Sequence, residues 1–180
     1  MSDKPAPDEM PDQADPTERL ETLFDGARGE LLGTLYYLVG NMEDARDALQ
    51  DTFLKCWRHR DQIPAVKNLR AWVFRIALNT GRDLRKTAWN RRRESLSEDD
   101  VMLTHSGSPE ASLIEREQLD RVRAAVHGLR AEEQEVFLLR QNGDMTYEQI
   151  AEATGLPLGT VKTRMRAALS RLRQSVGGES

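Results

Sequence analysis

The stretch that decides the fold is Thr146-Tyr147-Glu148-Gln149-Ile150-Ala151-Glu152-Ala153-Thr154-Gly155-Leu156-Pro157-Leu158-Gly159-Thr160-Val161-Lys162-Thr163-Arg164-Met165-Arg166. Thr146 followed three residues later by Gln149 is a capping box, so a helix opens there. Gly155 suits the left-handed position that closes it. Leu156 plugs the turn and Pro157 stops the first helix from continuing. Thr160 is expected to cap a second helix running to about Gln174. Val161, Met165, Ala168, Leu169 and Leu172 would face inward, and Lys162, Thr163, Arg164 and Arg166 outward. Two capped helices across a glycine turn, with small Ala151 at the crossing, form a helix-turn-helix. In that motif the N-terminal end of the second helix enters the major groove. Arg and Lys suit guanine O6 and N7, and a Thr methyl suits the thymine methyl. A solvated basic face on a core helix is the competing explanation, and the ordered caps and turn argue against it.

Outward from this motif, charge is laid down in blocks. The 180-residue chain has a formal net charge of −4. Residues 1–18 hold six acids against Lys4. Residues 67–93 hold nine bases against Asp83. Residues 94–120 hold eight acids against Arg116, and residues 160–175 hold five bases and no acid. Each basic block is dense enough to neutralise phosphates and release their counterions. No run nears the roughly 20 apolar residues of a membrane span, and the acidic, proline-rich start does not read as a secretory signal. Cys56 is the single cysteine, which excludes an internal disulfide and favours a reducing cytoplasm. His59, His105 and His127 are scattered, so neither metal nor cofactor is expected.

The pattern is all-α, in two small helical domains joined by a flexible linker. Residues 1–14 read as a disordered acidic tail, 15–92 as a first domain, 93–112 as a linker and 113–176 as a second domain. Asp15, Pro16 and Glu18 open a first helix that Gly40 and Asn41 close. Ala45, Ala48, Leu49, Thr52, Phe53, Cys56 and Trp57 form an inward stripe on a second helix, about 42–60. A third begins near Lys67 with Leu69, Trp72, Val73, Ile76, Ala77, Thr80 and Leu84 inward. Gly81 within it should cost about 1 kcal/mol relative to Ala. Leu113, Ile114, Leu119, Val122 and Val126 mark a further helix, and Val136, Phe137 and Leu139 the next. Fully extended, the linker would reach about 66–72 Å, roughly two duplex turns of about 34–36 Å.

Three segments in order carry a family resemblance. Glu43-Asp44-Ala45-Arg46-Asp47-Ala48-Leu49-Gln50-Asp51-Thr52-Phe53-Leu54-Lys55-Cys56-Trp57-Arg58 resembles region 2.2 of bacterial sigma factors. Asn68-Leu69-Arg70-Ala71-Trp72-Val73-Phe74-Arg75-Ile76-Ala77-Leu78-Asn79-Thr80 resembles regions 2.3 and 2.4. Residues 146–164 resemble region 4.2. With nothing like regions 1.1 or 3, the chain is similar to the extracytoplasmic-function (ECF) sigma factors, the minimal two-domain type of the sigma-70 family, over about residues 17–175.

The resemblance implies the roles. Asp47, Gln50, Asp51, Phe53, Leu54 and Trp57 match positions that bind the β′ clamp helices of core RNA polymerase, although Phe53 and Trp57 also lie on the inward stripe. Asn79 matches a position that captures a flipped −10 base, with the 62–69 loop closing the pocket; extrusion costs a few kcal/mol. Arg75, Arg82, Arg85 and Lys86 would hold the single strand and its phosphates. Trp72 and Phe74 could stack on bases, with Trp72 on the inward stripe. Lys162, Thr163, Arg164 and Arg166, with Thr160, match the −35-reading positions. Arg166 departs from the apolar or aromatic residue of many relatives and leaves the −35 sequence open. The implied partners are core polymerase (β′ clamp helices and β flap), promoter DNA and an anti-sigma factor. Neither a small-molecule substrate nor membrane insertion is implied, and no enzymatic chemistry. The linker would thread the RNA exit channel, and a plain solvated tether explains its composition equally well. An ordinary helix-turn-helix regulator lacks the 42–92 match. A sigma-like decoy for an anti-sigma factor should have lost Lys162, Arg164 and Arg166.

Overall fold

A computed structural model describes residues 15–94 and 113–177. The expected disordered tail, 1–14, and linker residues 95–112 lie outside the described residues. Those described form helices with no strand: α1 (Pro16–Val39), α2 (Met42–Arg58), a 3₁₀ segment (Arg60–Ala65), α3 (Leu69–Glu94), α4 (Leu113–His127), α5 (Ala131–Gln141), α6 (Tyr147–Thr154) and α7 (Leu158–Val176).

The first three helices start and stop for local reasons. Asp15 accepts from the Thr17 amide ahead of Pro16. Gly40 ends α1 at φ 86°, in the left-handed region. Asn41 Oδ1 then accepts from the Asp44 amide at 2.8 Å and opens α2. α3 begins at Leu69, two residues later than expected, because Asn68 Oδ1 takes the Ala71 amide at 2.9 Å. Leu20, Leu31, Leu35 and Leu38 of α1, Ala45 and Cys56 of α2, and Phe74, Ala77 and Leu78 of α3 are fully buried against one another. Each such leucine or phenylalanine contributes about 1.5–3 kcal/mol. Gly81 explains itself here. A Cβ at that position would lie 2.7 Å from Leu38 Cδ1 and 3.2 Å from Leu35 Cδ2. The glycine lets α3 cross α1 at close range.

Two expectations about α3 and α4 need correction. Phe74 was a candidate for stacking on bases, yet it is fully buried, with the Arg70 guanidinium 5.0 Å from its ring centroid. α3 is covered on more than one side, so a single inward stripe understates its burial. On α4 the reverse holds: Ile114, Leu119 and Val122 are exposed and Val126 is buried. At the C-terminal end of α4, Gln134 Nε2 of α5 donates to the Val126 carbonyl at 3.0 Å.

In the second unit Val136, Leu138 and Leu139 of α5, Ile150 of α6, and Val161, Met165 and Ala168 of α7 form the core. Buried Glu133 ties α5 to α7 through Arg171 at 3.0 Å. The Thr146–Gln149 capping box is present in both directions, at 2.9 and 3.1 Å. Gly155 closes α6 at φ 69°. α7 starts earlier than expected, however. Pro157, at φ −58° and ψ 142°, occupies the cap position, and its carbonyl accepts from the Thr160 and Val161 amides. Thr160 therefore sits within the first turn of α7 and does not cap it. Proline's fixed φ suits the residue that leads the chain into a helix.

The two units are packed against each other. Arg70 Nε donates to the Gly143 carbonyl at 2.7 Å, Arg82 Nη2 to that of Ala131 at 2.8 Å, and Arg75 Nη1 to that of Ala153. Lys67 pairs with Glu152 at 3.3 Å, and the Arg123 guanidinium lies 4.5 Å above the Tyr36 ring.

Candidate nucleic-acid interface

α7 carries its basic side chains according to its pitch. Val161, Met165 and Ala168 recur at four- and three-residue steps and are buried on one side. At about 100° per residue, Lys162, Thr163 and Arg166 fall on the opposite side, and all three are exposed. Arg164 lies nearer the buried stripe and is half-buried, as is Thr160. Lys162, Arg164 and Arg166 make no ion pair among the described residues, which leaves their charge available to an external anion. The Thr163 hydroxyl donates to the Gly159 carbonyl at 2.9 Å, a common bond for threonine inside a helix. Arg140 steadies the turn before α6: its Nη1 donates to the Met145 carbonyl at 2.7 Å while the guanidinium lies over Tyr147.

The basic face of α3 is arranged differently. Asn79, Arg85 and Lys86 are exposed, and Arg75 and Arg82 are half-buried. Arg75, Asn79, Arg82 and Lys86 follow four-, three- and four-residue steps and share one face. Two of these four already donate to carbonyls of the second unit. The Nε atoms of Arg75 and Arg82 are buried and lack a hydrogen-bond partner among the described residues. An orphaned buried donor costs about 1–3 kcal/mol. Desolvation beside the second unit lowers the pKa of Arg85, which stays charged at neutral pH. Burial, then the Arg85 charge, lowers that of His127.

On α2, Asp47, Gln50, Asp51 and Leu54 stand on the outer side and are exposed. Asp51 pairs with Lys55 at 3.0 Å, and Lys55 Nζ donates to Thr80 Oγ1 at 3.1 Å. Phe53 meets Phe24 edge-on at 5.1 Å and Trp57 at 5.8 Å, so both are partly buried. Asp47, Gln50 and Phe53 also line a groove of about 620 Å³ whose far wall is Glu21, Asp25 and Arg28 of α1. Sequence reasoning missed that wall because it lies far from α2 along the chain. It missed Arg70 for another reason, since its partners are backbone carbonyls that leave no mark in a sequence. Among the described residues no group of three or more His, Cys, Asp or Glu side chains is placed to hold a metal, and no helix is long and apolar enough to cross a membrane.

Comparison with known proteins bears on both halves. Residues 23–91 match the Sigma-70 region 2 family, and residues 119–172 match Sigma-70, region 4. The chain is 31% identical over 159 residues to the ECF RNA polymerase sigma factor SigL of Mycobacterium tuberculosis, covering 86% of each chain. It is 26% identical over 165 residues to the RNA polymerase sigma factor YlaC of Bacillus subtilis, covering 88% of this chain and 92% of the relative. Among solved structures, CnrH in complex with the cytosolic domain of CnrY superposes with a TM-score of 0.67, at 23% identity over 91% of each chain. The sigma factor RpoE in complex with the anti-sigma factor NepR, from Bartonella quintana, gives 0.66, at 23% identity over 91% of this chain and 98% of that one. At that identity the likeness speaks for the fold, and the sequence relatives carry the rest: this chain belongs to the ECF RNA polymerase sigma factors of the sigma-70 family, which direct transcription initiation.

Proposed function

We propose how this sigma factor divides its work among named residues. The outer side of α7, with Lys162, Thr163 and Arg166 at its tip and Arg164 and Thr160 flanking, reads the −35 element in the major groove. The exposed Asn79 captures a −10 base, while Arg75, Arg82, Arg85 and Lys86 hold phosphates of the opened strand. The outer side of α2, with Asp47, Gln50, Asp51 and the exposed Leu54, meets the β′ clamp helices. Phe53 and Trp57 support that side from behind. The α1 wall of the neighbouring groove extends it. Residues 15–92 serve the −10 element and core polymerase, and residues 113–176 serve the −35 element and the β flap. The chain works in the cytoplasm and carries out no covalent chemistry. An anti-sigma factor is a candidate partner, since the neighbouring structure of RpoE is bound to the anti-sigma factor NepR.

The observation that carries this reading is the pair of exposed cations on the outer side of α7, Lys162 and Arg166, which make no ion pair among the described residues. A buried or ion-paired set would serve structure. The test is run-off transcription from a genomic template library with core polymerase and the full chain. Promoter-dependent transcripts are expected, and their absence sinks the proposal. A Lys162→Ala, Arg164→Ala double variant that engaged the same promoters with unchanged affinity would remove α7 from the reading.

A further inference from the structure

Lys55 stands between two surfaces that the proposed function keeps apart. Asp47, Asp51 and Lys55 recur at four-residue steps on one face of α2. The Lys55 ammonium pairs with Asp51 at 3.0 Å, and the two side chains stay partly open to solvent, at 36% and 50%. The same ammonium crosses to α3 and donates to Thr80 Oγ1 at 3.1 Å. Thr80 is buried, and its neighbour Asn79 is exposed. The Thr80 hydroxyl is placed unusually for a helix. Thr34, Thr52, Thr87, Thr154 and Thr163 each donate to the carbonyl four residues earlier, a common bond for a helical threonine. Thr80 makes no such bond among the described hydrogen bonds, and its oxygen receives Lys55 instead. The ammonium has three donors, and a carboxylate and a hydroxyl engage two of them. An ion pair this exposed is weak, so a competing charge exchanges with it readily.

We propose that Lys55 is a further strand-contacting residue, whose charge polymerase releases toward the −10 phosphates by engaging Asp51. The proposal rests on the assignments of Asp51 to core polymerase and of Asn79 to the −10 base. In the free chain Asp51 neutralises Lys55. A cationic group of polymerase that pairs with Asp47 and Asp51 takes over that carboxylate. Lys55 keeps Thr80 as its anchor, and its uncompensated charge is held at the residue next to Asn79. A phosphate of the captured strand then supplies the missing anion. Binding on α2 thereby strengthens binding on α3, and by linkage the strand strengthens the hold on polymerase by the same factor.

The probe is a single-stranded −10 oligonucleotide from a promoter found by run-off transcription, titrated against holoenzyme at several salt concentrations. Lys55→Met keeps the apolar stem and removes the charge. It should weaken strand binding severalfold and flatten the dependence of log affinity on log salt by about 0.7, the share of one phosphate on a single strand. Core affinity measured without DNA should not fall. Lys55→Arg keeps a cation there and should keep the wild-type salt slope. Unchanged strand affinity in Lys55→Met overturns the proposal, and so does a loss with the slope unchanged, which marks a purely structural role. If Lys55→Met also weakens core binding, Thr80→Val decides. It should weaken strand binding with core binding intact, and any other result overturns the proposal. Release is read on the free chain. Asp51→Asn should raise its affinity for the strand, and the same change beside Lys55→Met should not; no rise in the single variant overturns release. Wild type and Asn79→Ala separate the two ideas. If wild-type holoenzyme leaves the strand unbound, or Asn79→Ala binds it as tightly, the −10 assignment fails. If Asn79→Ala loses the strand and Lys55→Met holds it fully, the role of Lys55 alone fails.

Discussion

At Gly81 two effects of opposite sign compete. Alanine is favoured over glycine by about 1 kcal/mol in a helix interior. The added methyl would stand 2.7 Å from Leu38 Cδ1, and forcing carbon into a filled core costs typically about 1–3 kcal/mol. The contact wins: Gly81→Ala should lower the urea midpoint, whereas a helix-propensity effect would raise it. His127 gives a pH dependence whose sign follows from its lowered pKa. Above the ordinary value of 6.5 the imidazole is neutral whether folded or unfolded, so the protein loses nothing. As pH falls through 6.5 the unfolded chain takes up a proton that the folded one resists, and stability declines. Urea melts at pH 7.5 and 5.5 should show this decline, and His127→Gln should reduce it. Cys56, its thiol pushed up to about 12 by burial, should react with a thiol reagent only after unfolding. At this scale the sequence was half legible. The stripe through Ala45, Leu49 and Cys56 announced its burial. That of Phe74 stayed hidden, because α3 packs on more sides than one periodicity can express.

Among the elements, α6 and α7 are the most legible, because caps and turns are written in local chemistry. Thr146 and Gln149 pair as their spacing requires, and Gly155 takes the left-handed conformation that its place in the turn requires. Thr146→Ala should cost about 0.5–2 kcal/mol, read as a lower thermal midpoint. Thr160 shows the limit of such reading. A threonine before a helical run looks like a cap, but Pro157 three residues earlier already turns the chain into α7. On the finished helix Arg166 faces outward and Arg164 leans toward the core. Arg166→Ala in the holoenzyme should therefore weaken promoter binding more than Arg164→Ala. If Arg166 reads a base, the loss should relax discrimination at one −35 position by about 1–3 kcal/mol. If it holds a phosphate, all sequences should weaken alike. Gel-shift titrations over a randomised −35 element separate the two.

For the molecule as a whole, the presence of two helical units was legible from the charge blocks. Their contact was not, because its arginines bond to main-chain oxygens that every residue possesses. The hydrogen bonds and ion pair described between the units are polar, and the buried apolar residues of both belong to one cluster; if the polar bonds dominate the joint, the units should unfold separately. Trp57, Trp72 and Trp89 all belong to the first unit. Tryptophan fluorescence therefore follows that unit alone, and far-ultraviolet circular dichroism follows both. The urea midpoints from the two probes should differ, and coincident curves would mean that docking couples the units into one transition.

The order of the helices along the chain has a consequence during synthesis. Every residue of the α1–α3 core precedes position 95, and the carbonyls that receive Arg70, Arg75 and Arg82 belong to residues 131–153. Domains generally fold as they leave the ribosome, N-terminal first. The growing chain therefore completes its basic helix before it has made the unit that covers it. For that interval the nascent protein exposes an uncovered cationic surface beside the ribosome's own RNA.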